Sequence, residues 1–214
     1  MKLYTYFRSS AAYRVRIALH LKGLAFDAVP VHLLKGGGQQ HDPAYAALNP
    51  NETVPTLDDD GKILVQSLAI IEYLDETHPT PPLLPGTAAD RARIRAIAQT
   101  IACDIHPINN LRVLQHLTQR FGLSETQKTQ WYCHWVERGL QAVEKMLAED
   151  ARTGQFCHGD APTLADCCLV PQVFNARRFG CSLEGLPTVQ RICATCETLD
   201  AFARAAPARQ PDAE

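Results

Sequence analysis

Residues 6–19 read YFRSSAAYRVRIAL. Two serines stand directly before an apolar-periodic run, the place where a side-chain oxygen accepts the unpaired amide hydrogens of a first helical turn. The segment before it, KLYTYF, is a short β-like run, and AAYRVRIALHLKG reads as a helix closed by Gly23. The stretch is therefore a strand-to-helix turn. Ser9 and Ser10 have two compatible readings, as a helix cap and as hydroxyls placed beside a ligand at an amide-rich, positive helix end. Arg14 and Arg16, on the same helix, are expected on its solvated face.

Working outward, FDAVPVHLL is again strand-like, and KGGGQQHDPAYAALNP begins with a glycine run that reads as an open loop. TVPTLDDDGKILVQS gives two strand segments around an Asp-Gly turn. SLAIIEYLDETH returns to helical spacing, with Leu68, Ile71 and Leu74 on one side. The order β-α-β-loop-β-β-α predicts an α/β unit over residues 1–84. Pro55 interrupts extended chain, where a lost amide hydrogen is awkward in a central strand. It is either a trans residue at an edge or a cis residue that presents the Val54 backbone to a ligand.

Pro79, Pro81, Pro82, Pro85 and Gly86 end the helical pattern and mark a boundary. An all-helical region is expected over 88–214, with long helices in ADRARIRAIAQTIACDI and TQKTQWYCHWVERGLQAVEKMLAED and later ones in TLADCCLVPQVFNARRF and LPTVQRICATCETLDAFARAAP. Thr163 and Asp166 have capping-box spacing, which assigns Asp166 to folding. The tail ARQPDAE is expected to fray.

The 214 residues, 46% of them hydrophobic, suffice for one or two small domains, and 21 basic against 23 acidic side chains leave a formal charge of −2 without a block of either sign. That balance speaks against a phosphate-tracking nucleic-acid surface. No signal-peptide run or membrane-length apolar stretch occurs, so a cytoplasmic protein is expected. The eight cysteines are scattered and read as free, buried thiols. Cys193 and Cys196 form a C-x-x-C, but on a helix and without a second ligand pair, and the histidines form no ligand motif, so no metal site is expected.

YFRSSAAYRVRIAL, ALNPNETVPTL, VQSLAIIEYLDE, DIHPINNLRVL, CHGDAPTLADCCLVPQVFNARRF and LPTVQRI together span nearly the whole chain. In these segments the sequence resembles the zeta class of glutathione transferases. The resemblance implies a thioredoxin-like α/β N-terminal domain, an all-α C-terminal domain, a homodimer and glutathione as cofactor. It also implies cis–trans isomerisation of maleylacetoacetate through reversible addition of the glutathione thiolate. Isomerases of maleylpyruvate share most of these motifs, and a glutathione-binding protein without turnover is a third possibility. Ala11 stands where the family carries a cysteine, so a reactive sulfur would come from the cofactor.

Residue by residue, the resemblance makes Ser9 the partner of the thiolate and Ser10 part of an anion-friendly turn. It gives Gln66 and Ser67 to the γ-glutamyl end, the Val54 backbone beside cis Pro55 to the cysteinyl part, and Gln40 to the glycyl end. Arg8 and Arg177 become partners for the carboxylates of a small dicarboxylate substrate, and Asn109 a neighbour of both sulfur and substrate. Maleylpyruvate isomerases place an arginine directly after the paired asparagines. Here Leu111 holds that position and Arg112 follows, which favours maleylacetoacetate. His106 reads as a packing residue.

Overall fold

The computed structural model describes all residues, Met1–Glu214. Strand β1 (Lys2–Thr5) alternates as a half-buried strand should, with Leu3 and Thr5 inward. Helix α1 (Ser10–Leu21) starts at Ser9, whose extended backbone (φ −69°, ψ 118°) lets its Oγ accept the Ala12 amide at 3.2 Å. It stops at Gly23, which takes the left-handed conformation (φ 64°) while the Leu24 amide returns to Leu19 O. The chain continues through β2 (Asp27–Pro30), α2 (Pro43–Leu48), β3 (Thr56–Asp59), β4 (Lys62–Val65) and α3 (Ser67–Thr77). The sheet order is β2-β1-β3-β4, with β1 parallel to β2 and the other neighbours antiparallel. Asp60 and Gly61 both have positive φ, as the two-residue hairpin between β3 and β4 requires. This is the thioredoxin-like arrangement.

Compact units divide the chain as Met1–Leu84 with Glu197–Glu214, and Pro85–Cys196. The last segment thus groups with the first unit rather than with the helical region expected over 88–214. One side chain explains much of this. Arg16 is fully buried, not solvated, and donates to Thr5 Oγ1 (2.9 Å), Tyr6 O (3.4 Å), Phe7 O (3.0 Å) and Ala205 O (3.0 Å). Burial pulls its pKa down to about 10. Arg14 is buried as well, with Nη1 3.3 Å from Ser67 Oγ. Helix α1 is consequently enclosed, packed against α3 on one side and α10 (Asp200–Ala205) on another. The tail does not fray. Asp212 Oδ2 accepts the Phe7 amide (3.0 Å), Gln210 is buried and donates to Arg204 O (2.9 Å), and Glu214 lies against Lys35 and His32.

The second unit opens with α4 (Ala88–Gln99), capped by the reciprocal Thr87–Asp90 box, and runs through a π-helical turn (Thr100–Ile105) into the short α5 (His106–Ile108). Helices α6 (Leu111–Phe121), α7 (Glu125–Ala148), α8 (Leu164–Phe179) and α9 (Pro187–Glu197) follow. Gly139 lets α7 meet the π-helical turn, since a Cβ there would stand 2.3 Å from Ile105 Cγ1. Asp166 is buried and takes up the Thr163 amide, the Thr163 hydroxyl and the Cys157 amide, each at 2.8 Å, in the folding role its spacing implied. Arg93 completes this hub, donating to Asp150 Oδ2, Cys157 O and Thr153 Oγ1, each at 2.7 Å. The Glu144 carboxylate on α7 accepts the Thr188 and Val189 amides at the start of α9 (3.0 and 2.8 Å). Cys193 and Cys196 are fully buried, but Cys103 is exposed and Cys133 half-exposed, against the expectation that all eight thiols are buried. No helix is long and apolar enough to cross a membrane.

Candidate active site

Strand register decides where the candidate residues of the first unit lie. Tyr4 pairs with Thr56 and Thr56 pairs with Val65, while Thr5 lies beside Pro30. The chain leaving β1, the chain entering β3 and the chain leaving β4 therefore share one end of the sheet. Arg8, Ser9 and Ser10 follow β1, Val54 and Pro55 precede β3, and Gln66 and Ser67 follow β4. Gln40, on the crossing after β2, emerges from the same end. Tyr6, Phe7, Val31, Tyr45 and Val54 form the apolar floor beneath these turns.

At the first turn Ser9 Oγ accepts the Ala12 amide, which leaves its single hydroxyl hydrogen for another acceptor. Ser10 is buried in the first helical turn. The Arg8 guanidinium is half-buried over the Phe7 ring, 4.7 Å from its centroid, and no carboxylate of its unit pairs with it. Neither α1 nor α3 carries an acidic residue in its first turn, so neither positive helix end is neutralised from within. Gln66 is exposed at a positive φ of 72° before α3, without a side-chain cap, while buried Ser67 meets Arg14.

The Val54–Pro55 bond is cis. Thr53 and Thr56 are held from α2 on both sides of it. Tyr45 OH donates to Thr53 O (2.6 Å) and lies 2.9 Å from Thr56 Oγ1, and Asn49 Nδ2 donates to the same two oxygens (2.7 and 3.1 Å). Val54 precedes the β3 ladder, and its amide and carbonyl have no backbone partner. Gln40 is buried with Nε2 3.0 Å from His41 Nε2, and its Oε1 has no hydrogen-bond partner. Its surroundings, expected as an open loop, are two 3-10 turns (Lys35–Gly37 and Gln39–His41) leading into α2.

In the second unit Asn109 ends α5. It is buried, its Nδ2 donates to Tyr132 O (3.3 Å), and its Oδ1 has no partner. Asn110 caps α6 through the Arg112 amide, and the half-buried His106 has Nε2 3.3 Å from Asn110 Nδ2. Arg177 is exposed in the last turn of α8, two residues before Phe179, whose ring stacks on Tyr132 (3.8 Å between centroids). Sequence reading missed Tyr45 and Asn49, which fix the Val54 segment, and Arg14, which meets Ser67. A polar residue at the end of an unrecognised helix was the one available signal.

Residues 3–82 match the family model of the glutathione S-transferase N-terminal domain, and residues 134–191 that of the C-terminal domain. A probable maleylacetoacetate isomerase of Vibrio cholerae is 52% identical, over 99% of this chain and 97% of its own. A maleylpyruvate isomerase of a Ralstonia species is 49% identical over 99% of each. The chain belongs to the glutathione S-transferase family, in its zeta class.

Solved isomerase structures superimpose on it over nearly their full length. A holo maleylpyruvate isomerase, described as a bacterial zeta-class enzyme, has a TM-score of 0.97 at 48% identity, covering 100% of both chains. A maleylacetoacetate isomerase of Methylobacterium extorquens, holding malonate and glutathione, has a TM-score of 0.96 at 44% identity, again over 100% of both. One from Anaeromyxobacter dehalogenans, with dicarboxyethyl glutathione and citrate in its active site, has a TM-score of 0.87 at 44% identity, covering 100% of this chain and 97% of that one. The residues here suit the tripeptide these transferases bind. An extended peptide needs a backbone donor and acceptor, which Val54 leaves unused, and its carboxylates need donors, which the α3 start offers. The buried Gln40 Oε1 lacks a donor, which suits a ligand amide N–H.

Proposed function

We propose that the chain is a cytoplasmic, homodimeric, glutathione-dependent isomerase that converts maleylacetoacetate to fumarylacetoacetate. The observation that carries this reading is the set of unpaired polar groups at one end of the sheet: the Val54 backbone, Gln40 Oε1 and the Arg8 guanidinium. Relatives of this class hold glutathione together with a dicarboxylate or a dicarboxyethyl group, which matches that set.

Glutathione supplies, when bound, a thiolate that adds reversibly to the activated double bond and so permits its rotation. Val54 pairs with the peptide backbone beside Pro55, Gln66 and the Ser67 amide receive the γ-glutamyl end, and Gln40 faces the glycyl end. Ser9, its oxygen already engaged by the helix, directs its hydroxyl hydrogen at the sulfur and favours the charged form. Ser10 and the amides of the first turn add positive potential, and Ala11 brings no competing thiol. Arg8 pairs with a substrate carboxylate. Arg177 offers a second cation for the other carboxylate, and Asn109 an amide toward substrate and sulfur.

Maleylpyruvate is the second reading, because a maleylpyruvate isomerase matches at 49% identity over the whole chain. The apolar Leu111 after the paired asparagines, with Arg112 exposed on α6, favours the longer substrate. Rates with each compound, with and without glutathione, test the proposal. Turnover without glutathione refutes the mechanism, no turnover of either compound makes this a binding protein, and a preference for maleylpyruvate reverses the substrate order. Arg8→Met should raise KM for the dicarboxylate and leave glutathione affinity unchanged.

A further inference from the structure

Cys133 and Cys181, far apart in sequence, have Sγ atoms 2.7 Å apart. Both are free thiols, Cys133 half-exposed on α7 and Cys181 buried just beyond α8. The approach is built into the backbone. Gly180 closes α8 in the left-handed conformation (φ 69°), and the Cys181 amide turns back to Ala176 O at 2.9 Å. One helical turn past Cys133 on the same face of α7, Glu137 Oε1 accepts the Ser182 amide at 2.7 Å. The Tyr132–Phe179 ring stack closes the other side. Two consecutive residues after α8 are thus docked onto two positions of α7 that are four apart.

We propose that Cys133 and Cys181 form a reversible intramolecular disulfide by exchange with glutathione disulfide. A disulfide needs an S–S bond of about 2.05 Å, so the sulfurs need little further movement. Cys133, the accessible member, attacks one sulfur of glutathione disulfide. A Cys133–glutathione bond forms, the original S–S bond breaks, and one glutathione leaves as thiolate. Cys181 then attacks the Cys133 sulfur and expels the second glutathione. Two protein thiols are oxidised, one disulfide is reduced, and both thiol protons end on the two glutathiones. Burial, with the neighbouring Cys133 thiol adding to it, pushes the Cys181 thiol well up, which assigns the first attack to Cys133. Cys157, Cys167, Cys168, Cys193 and Cys196 are fully buried and closed to a tripeptide disulfide, whereas Cys103 is exposed and open to glutathionylation. The bond would join α7, whose Tyr132 carbonyl receives Asn109, to the end of α8.

The full chain is equilibrated in glutathione buffers of rising disulfide-to-thiol ratio, quenched with acid, alkylated and analysed by intact mass and peptide mapping. The expected result is a peptide crosslinked through Cys133 and Cys181 with loss of two hydrogens, any glutathionyl mass on Cys103 mapping separately, and a higher urea midpoint for the crosslinked form. Cys181→Ser should instead hold one glutathionyl group on Cys133, and Cys133→Ser should leave Cys181 reduced. No 133–181 crosslink at any ratio, oxidation confined to other cysteines, or an unmodified Cys181→Ser protein would each overturn the proposal. Mapping of the unmutated chain keeps the test decisive if either variant folds poorly. It also needs no isomerase activity, so its result is independent of the substrate assignment.

Discussion

Removing Tyr45 OH and the Asn49 side chain separately and together tests how the Val54 segment is held. Each donates to Thr53 O, and each reaches Thr56 Oγ1, which is fully buried. In Tyr45→Phe both oxygens keep Asn49 as donor, so the cost is that of ordinary hydrogen bonds, about 1 kcal/mol. In Asn49→Ala both keep Tyr45, and the Asn51 amide also loses its acceptor, for about 1–2 kcal/mol. In the double variant the two oxygens lose their last partners on α2, and leaving buried polar atoms unpaired costs about 1–3 kcal/mol beyond the sum. Urea unfolding of the four proteins measures this coupling. The same cycle read by calorimetric titration of glutathione should show each single change weakening binding up to about threefold and the double change about tenfold or more, since about 1.4 kcal/mol is tenfold. Stabilities that add within about 0.5 kcal/mol, or a double variant with the parent's glutathione affinity, would refute the idea that α2 fixes the Val54 backbone for the ligand.

Ser9→Gly retains most of the cap's stabilisation, whereas Ser9→Ala loses about 1 kcal/mol of it. If the hydroxyl also serves the thiolate, both should lose about 100-fold in kcat while Ser9→Thr stays close to the parent, as steady-state rates and urea midpoints together will show. Gly139→Ala should destabilise by about 1–3 kcal/mol, because the new Cβ would stand 2.3 Å from Ile105 Cγ1, and Ile105→Ala in the same chain should recover part of that loss in thermal unfolding. Hydrogen bonds from Arg152, with the Arg93 charge adding to them, hold the Asp150 carboxyl well below the usual carboxylate range. Its folded pKa thus lies below its unfolded one, so its stabilisation is present above the unfolded value and is lost as pH falls from about 5. The urea midpoint should drop over that range, and drop less in Asp150→Asn.

Local chemistry made the first unit largely legible. Gly23 had to close α1, Asp60-Gly61 had to make the hairpin, and the proline cluster had to end α3, because each residue supplies a backbone conformation its neighbours cannot. The Thr163–Asp166 cap was legible for the same reason, as both partners lie within one turn. Helix α2 was hidden behind the glycine run that precedes it, and α6 behind the paired asparagines. Arg14 and Arg16 were misread because hydrophobic periodicity treats a guanidinium as a surface group. Nothing near Arg16 in sequence announces that it will meet Ala205, 189 positions away.

That one misreading explains a second. A tail of ARQPDAE composition frays unless something anchors it, and the anchor here is a buried cation from the opposite end of the chain. The Tyr6 carbonyl accepts the Ser9 amide, and the Phe7 carbonyl, just before Arg8, takes its donor from Arg16, which satisfies Ala205 with the same guanidinium. Asp212 then takes the Phe7 amide, so both backbone polar groups of the residue before Arg8 are held by groups outside the turn. The turn that carries Arg8 and Ser9 is thereby fixed through its backbone. The Arg8 side chain remains free of that task, and Ser9, whose oxygen caps α1, keeps its hydroxyl hydrogen, so the loop can present a cation and a hydroxyl to a ligand without first paying to order itself.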